Sequence, residues 1–270
     1  FFDHADIYAN GKAEQVFGKV LAERPSLRRH MIIQSKCGIR FEKNGAPQRY
    51  DFTKEWILTS VENSLVRLNT DYLDLLLLHR PDPLMEPAEV AEAFLQLQKT
   101  GKVRYFGVSN MNGHQIKFLQ GNLEQPIIVN QLEMSLSHLD WINEGVVFNY
   151  PDSAEVSFTP GTIEYCRTYN VQLQAWGCLS KGLFSGKNIE SVSEAVHATA
   201  LLVKQLANEL DVSREAIVLA WLMRHPAGIQ PVIGTTNGDR IRACQQAENI
   251  QLSRDQWYQL FLSARGRRLP

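Results

Sequence analysis

LDLLLLHRPDPLMEPAEVAEAFLQLQKTGKVRYFGVSN, residues 73–110, reads as one strand–helix–strand unit. The run LDLLLLH is almost continuously apolar, as a strand covered on both faces must be. Pro87 then stands at the first turn of PAEVAEAFLQLQKTG, where a missing N–H costs nothing, and Gly101 follows the helix. VRYFGVS, residues 103–109, starts a second strand at once. Two buried strands joined by a helix imply a parallel pair, because the chain must cross back before running in the same direction.

The same alternation extends in both directions. FFDHA (1–5), MIIQSK (31–36), PIIVNQLE (126–133), VQLQAW (171–176) and QPVIGT (230–235) bring the strands to seven. Ser191 to Glu194 and Ser253 to Gln256 read as capping boxes at helix starts. The expected fold class is α/β, a (β/α)8 TIM barrel forming one domain over residues 1–270. Seven units are one short of closure, and Phe1 already stands in a strand-like run, so the first strand and helix are expected to precede this sequence. A doubly wound sheet is the alternative, but no G-x-G-x-x-G supports a Rossmann site. Residues 141–161, WINEGVVFNYPDSAEVSFTPG, read as an unusually long loop.

A chain of 270 residues with 44% hydrophobic residues can bury a full core. Its 28 basic and 29 acidic residues are nearly balanced, with no basic block, so neither nucleic acid nor an anionic membrane is an expected partner. Cys37, Cys166, Cys178 and Cys244 form no C-x-x-C pair, which reads as reduced thiols in a cytoplasmic protein without a metal site. No apolar run is long enough to span a bilayer. A small molecule is the expected partner.

Barrel active sites form at the C-terminal ends of the strands, so polar residues closing apolar runs matter most. Asp3 and Tyr8 belong to the first strand and its loop, Lys36 closes MIIQSK, and His79 closes LDLLLLH. Side-chain alternation puts His79 on the face of Leu73, Leu75 and Leu77, and Lys36 on that of Ile32 and Gln34. A buried Asp3 needs a cation, and Lys36 is the one at hand. An ammonium about 4 Å from a phenol, at an effective dielectric near 20, is worth roughly 4 kcal/mol in favour of the phenolate. Tyr8 would thereby become an acid of useful strength. Taken singly each residue has a structural explanation, but four ionisable groups at successive strand ends would each cost desolvation.

FFDHADIY, IIQSKCG, LDLLLLHRPD, FGVSN and VNQLE, in this order from Phe1 to about residue 248, resemble the successive signatures of aldo-keto reductases. The resemblance implies reversible hydride transfer between a nicotinamide cofactor, usually NADPH, and an aldehyde or ketone. It implies that Tyr8 gives the proton, Lys36 held by Asp3 strengthens it as an acid, and His79 orients the carbonyl. It further implies that Ser109, Asn110 and Gln131 hold the nicotinamide carboxamide and that Trp176 stacks on its ring. Gly177, Leu179 and Lys181 in GCLSKGLFSGK would meet the pyrophosphate, and Gly234, Thr235 and Arg240 in PVIGTTNGDRIR the phosphate end. An arginine there suits a ribose 2′-phosphate, hence NADPH over NADH.

The sequence departs from the family pattern at His4, where threonine is usual, and in WGCLSKG, which lacks Ser-Pro after the aromatic residue. Gly234 stands where some members carry a phosphate-binding lysine, and Ala243 and Cys244 where Glu and Asn commonly contact the adenine. Two alternatives remain at this level: a cofactor-sensing regulatory subunit resembling potassium-channel β subunits, and a Schiff-base aldolase using Lys36. Substrate choice is expected to lie in RPDPLMEPAEV, in residues 141–161 with Phe148, Tyr150 and Phe158, and in SARGRRLP.

Overall fold

The computed structural model describes residues 1–43, 45–187 and 192–270. They fall into two compact units, Phe1–Asn130 and Gln131–Pro270.

In the first unit, strands β1 (Phe2–Asp3), β2 (Ile33–Cys37), β5 (Leu73–Leu78) and β6 (Val103–Ser109) lie side by side in that order, each pair parallel. All residues of β2 and β5 are buried, as strands covered on both faces should be. The register sets Asp3 opposite Gln34, Lys36 opposite Leu77, and Leu77 opposite Gly107. Gly107 is required there: a Cβ would lie 2.5 Å from the Leu77 side chain and 2.8 Å from the Val129 carbonyl oxygen. Leu75, Leu77 and Val129 close an apolar cluster at this point.

Helices α1 (Lys12–Glu23), α2 (Lys54–Leu68), α3 (Pro87–Lys99) and α4 (Gly113–Gln120) connect the strands. Pro87 opens α3 as the sequence indicates. Thr53 caps α2, and Asn112 with Gln115 forms a capping box on α4. At the far end of β5 from His79, the Asp74 carboxylate is pinned by Arg28 (2.7 Å), Arg104 (2.9 Å) and the Ile33 amide (3.0 Å). A short antiparallel hairpin, β3 (Ile39–Arg40) and β4 (Arg49–Tyr50), follows β2 and was not foreseen.

β7 (Ile127–Glu133) spans the division between the units. The second unit carries the parallel pair β8 (Gln172–Trp176) and β9 (Gln230–Pro231), with helices α5 (Asp140–Val146), α6 (Thr162–Thr168), α7 (Glu194–Glu209), α8 (Arg214–Met223), α9 (Gly238–Gln245) and α10 (Arg254–Arg265). Its aromatic core stacks Trp221 on Trp257 at 5.5 Å, and each indole N–H donates to the other's carbonyl oxygen. Trp141 packs edge-on against Trp221.

All seven expected strands are present, although QPVIGT shrinks to two residues. Residues 141–161 are not a single loop: they hold most of α5 and a 3-10 turn at Pro151–Glu155, because Trp141, Asn143 and Glu144 are buried. The capping box Ser253–Gln256 forms on α10. Ser191 lies outside the described residues, and the cap of α7 is instead Ser193, whose hydroxyl accepts from the Val196 amide.

Candidate active site

β1 delivers Asp3, β2 delivers Lys36, and the residue after β5 is His79, whose amide donates to the Cys37 carbonyl oxygen at 2.9 Å. Tyr8 comes from the turn after β1. That turn reverses sharply through Ala9 (φ 49), Asn10 (φ 55) and Gly11 (φ 85). Gly11 meets both demands of the place, since a Cβ there would lie 3.0 Å from the Arg67 side chain.

Lys36 is 1% exposed, and a buried ammonium is stable only with compensating partners. Its Nζ donates to Asp3 Oδ1 (2.8 Å), Asp3 Oδ2 (2.7 Å) and the His4 carbonyl oxygen (2.9 Å), and lies 3.1 Å from Tyr8 Oη. Gln34 donates to Asp3 Oδ1 and fixes that carboxylate from the other side. Tyr8 remains 38% exposed, so the hydroxyl that Lys36 touches belongs to a ring still open to solvent. The Tyr8 and His79 rings meet edge to face at 5.9 Å. The structure therefore brings all four sequence-derived residues together.

Burial, with Lys36 and Arg80 as lesser causes, pushes the His79 imidazole down to about 3. The ring is neutral at physiological pH, and its Nδ1 has no hydrogen-bond partner among the described residues. A neutral imidazole beside a lysine-backed phenol can donate or accept a hydrogen bond but brings no charge of its own. His4, which departs from the family pattern, packs edge-on against Phe17 at 4.7 Å and is held below its ordinary value by burial. Only its backbone carbonyl serves the cluster.

Ser109 closes β6 and is buried; Asn110 follows in the left-handed region (φ 58). The Asn110 amide donates to Ser109 Oγ at 2.8 Å and to the His79 carbonyl oxygen at 3.3 Å. In the second unit, Gln131 on β7 donates to Gln174 on β8 at 3.0 Å, and Gln174 donates to Gln230 on β9 at 3.1 Å. Gln174 and Gln230 were missed because a glutamine inside a short strand carries no signal of what lies across it.

Trp176 closes β8, and Gly177 turns through φ 67 beside Glu133. Leu179 and Lys181 lie in a tight turn where Ser180, Lys181 and Gly182 all have positive φ. The amides of Ser180 and Gly182 are spent inside it, on the Gly177 and Leu179 carbonyls. Gly234 is open, and Thr235 Oγ1 accepts from the Asn237 amide. Asn237 is not simply the turn suggested by Asn-Gly. It caps α9, accepting from the amides of Asp239 and Arg240, so those two donors are already occupied. The Arg240 side chain is exposed and makes no ion pair among the described residues.

The model of the aldo/keto reductase family matches residues 1–260. The chain belongs to the aldo/keto reductase family. As a member it is an oxidoreductase with the α/β barrel fold of these enzymes. Among curated proteins, an uncharacterized oxidoreductase, YcsN, of Bacillus subtilis is 38% identical, with 100% of this chain and 85% of the relative covered. A 6-dehydroglucose reductase of Agrobacterium fabrum is 36% identical over 98% of this chain and 83% of its own length. Among solved structures, an aldo/keto reductase of Klebsiella pneumoniae in complex with NADP and acetate superimposes with a TM-score of 0.70 at 24% identity, covering 96% of this chain and 77% of that one. No described helix is long and apolar enough to cross a membrane.

Proposed function

We propose that this aldo/keto reductase converts aldehydes or ketones to alcohols with NADPH, Tyr8 giving the proton to the carbonyl oxygen. The observation that carries the proposal is the ammonium of Lys36, held by both oxygens of Asp3 and 3.1 Å from Tyr8 Oη. As the Tyr8 proton moves to substrate, the growing phenolate faces a fixed positive charge that needs no reorganisation. His79, neutral at working pH, hydrogen-bonds the carbonyl and orients it without competing as an acid.

NADPH, when bound, supplies the hydride. The donor sets fit such a group. Ser109, Asn110 and Gln131 are proposed for the nicotinamide carboxamide, in exchange for the hydrogen bonds they now make, and Trp176 for stacking on the ring. Gly177, Leu179 and Lys181 are proposed for the pyrophosphate, and Gly234, Thr235 and Arg240 for the remaining phosphate. The exposed guanidinium of Arg240 has the fork geometry that suits a phosphate and favours NADPH over NADH. A Schiff-base role for Lys36 is disfavoured, because its donors are engaged by both oxygens of Asp3 and by the His4 carbonyl oxygen.

The relatives named 6-dehydroglucose reductase support including sugar-derived aldehydes among the test substrates. The experiment is NADPH oxidation against aldehydes, ketones and such sugar aldehydes, with alcohol product measured alongside. Equimolar alcohol and oxidised cofactor are expected. Absence of carbonyl-dependent NADPH oxidation across the panel, by folded protein, would sink the proposal.

A further inference from the structure

A cavity of about 540 Å³ opens in the first unit between the turn that carries Tyr8, the length of α2 from Trp56 to Arg67 and the β3–β4 hairpin. Tyr8 itself does not line it, and none of the four residues of the candidate active site does. Its wall contains Asp6, Trp56 and Ser60, and Asp6 Oδ1, Trp56 Nε1 and Ser60 Oγ are all buried without a hydrogen-bond partner among the described residues. One orphaned polar atom is unremarkable. Three in one cavity wall ask for an explanation, because Asp6 and Ser60 compensate each other only in part and the Trp56 N–H has no partner among the described residues.

We propose that this cavity binds an uncharged, polyhydroxylated small molecule of the sugar class. The orphaned set is mixed: a carboxyl oxygen accepts, an indole N–H donates, and a serine hydroxyl does either. A ligand whose groups both donate and accept can answer all three at once, and hydroxyls do that. Asn10 and Asn63 add exposed amides of the same dual character, and Phe41 adds a half-exposed ring at the rim for the C–H face of such a ligand. With the side chains as they stand, the three orphaned atoms touch no solvent, so small rotations of Asp6, Trp56 and Ser60 are part of binding.

Charge argues for an uncharged occupant. Arg40 is tied to Asp51 at 2.6 Å and lies over the Trp56 ring, and Arg67 is tied to Glu14 at 2.7 Å. The carboxyls of Asp6 and Glu42 oppose an anion, while Lys43 and Arg49 oppose a cation. The Asp6 carboxyl, pushed up to about 7 by burial and by Glu14, presents either an O–H or an oxyanion near neutrality. The neighbouring Ser60 hydroxyl, though it makes no well-formed hydrogen bond, works in the opposite direction.

This site stands apart from the reduction chemistry, so it is tested without cofactor, by calorimetric titration with D-glucose, D-glucitol, myo-inositol and D-glucose 6-phosphate. Wild type and Tyr8→Phe are expected to bind at least one of the three uncharged compounds saturably and equally well. Trp56→Phe and Asn63→Ala, each checked for unchanged melting temperature, should each weaken that binding by about tenfold, the loss of one good hydrogen bond. The proposal is overturned by no saturable binding of any uncharged compound. It is equally overturned by binding that both variants leave intact, or by a phosphorylated sugar that binds at least about tenfold tighter, which would mark an anion site.

Discussion

Replacing Asp3 by Asn removes one charge from a pair whose other member cannot leave. Lys36 is 1% exposed and takes two of its contacts, at 2.7 and 2.8 Å, from the Asp3 carboxylate. The variant leaves a buried ammonium with the His4 carbonyl, the Tyr8 hydroxyl and a neutral amide. Breaking a buried pair in this way costs about 3–5 kcal/mol. For a chain of this size the loss corresponds to a fall in melting temperature on the order of 10 °C. A second change separates this stability effect from the chemistry. Asp3→Asn combined with Lys36→Met removes the stranded charge and puts an apolar chain of similar length in its place, so stability should return toward wild type. Carbonyl reduction should not return, because the cation beside Tyr8 Oη is gone. Thermal unfolding at pH 7 followed by circular dichroism, with turnover measured on the same samples, makes the comparison. A melting temperature for Asp3→Asn within about 2 °C of wild type would refute the reasoning, since that is less than 1 kcal/mol. So would a double variant no more stable than Asp3→Asn.

Three further outcomes follow from the same structure. His79 binds a proton in the unfolded chain near its ordinary value of 6.5 but only at about 3 when folded, so stability through this residue is present above 6.5 and is lost as pH falls. Between pH 7 and pH 5 wild type should therefore lose about 2 kcal/mol that His79→Gln does not lose, measured by urea unfolding at the two pH values. Gly107→Ala sets a Cβ 2.8 Å from the Val129 carbonyl oxygen, backbone that cannot step aside, and should lower the unfolding free energy measured in urea by about 1–3 kcal/mol. Arg240→Ala should weaken NADPH binding about tenfold or more, the worth of a hydrogen bond to a charged group, and leave NADH binding nearly unchanged in a fluorescence titration.

The strands were legible in the sequence because burial on both faces writes itself as unbroken apolar runs, as in Leu73–Leu78. Asp3, Lys36 and His79 were legible because each interrupts such a run where a barrel keeps its chemistry, and the structure joins them to Tyr8. Features decided by distant partners were not legible. Helix α5 has no side-chain cap and exists through the burial of Trp141. The β3–β4 hairpin has strands of two residues, too short for any period to show. In SVSE the capping-box pattern belongs to Ser191 with Glu194, whereas Ser193, which caps α7, has Val196 three residues on and carries no such pattern. The Gln131–Gln174–Gln230 ladder joins residues 43 and 56 positions apart, and nothing in any one strand announces it. The orphaned atoms of Asp6, Trp56 and Ser60 are of the same kind, visible only once the cavity they share is formed.

The central claim is that Tyr8 supplies the proton, and Tyr8→Phe tests it most directly. The substitution removes a single oxygen, 3.1 Å from Lys36 Nζ, from a ring that keeps its contact with His79. The measurement is kcat/KM for carbonyl reduction together with the Kd for NADPH on the same preparation. The account predicts a fall in kcat/KM of at least about 100-fold, the usual worth of a positioned general acid, with the Kd for NADPH unchanged. Turnover within about threefold of wild type, well inside what a general acid supplies, would contradict it and move the proton donor to another group.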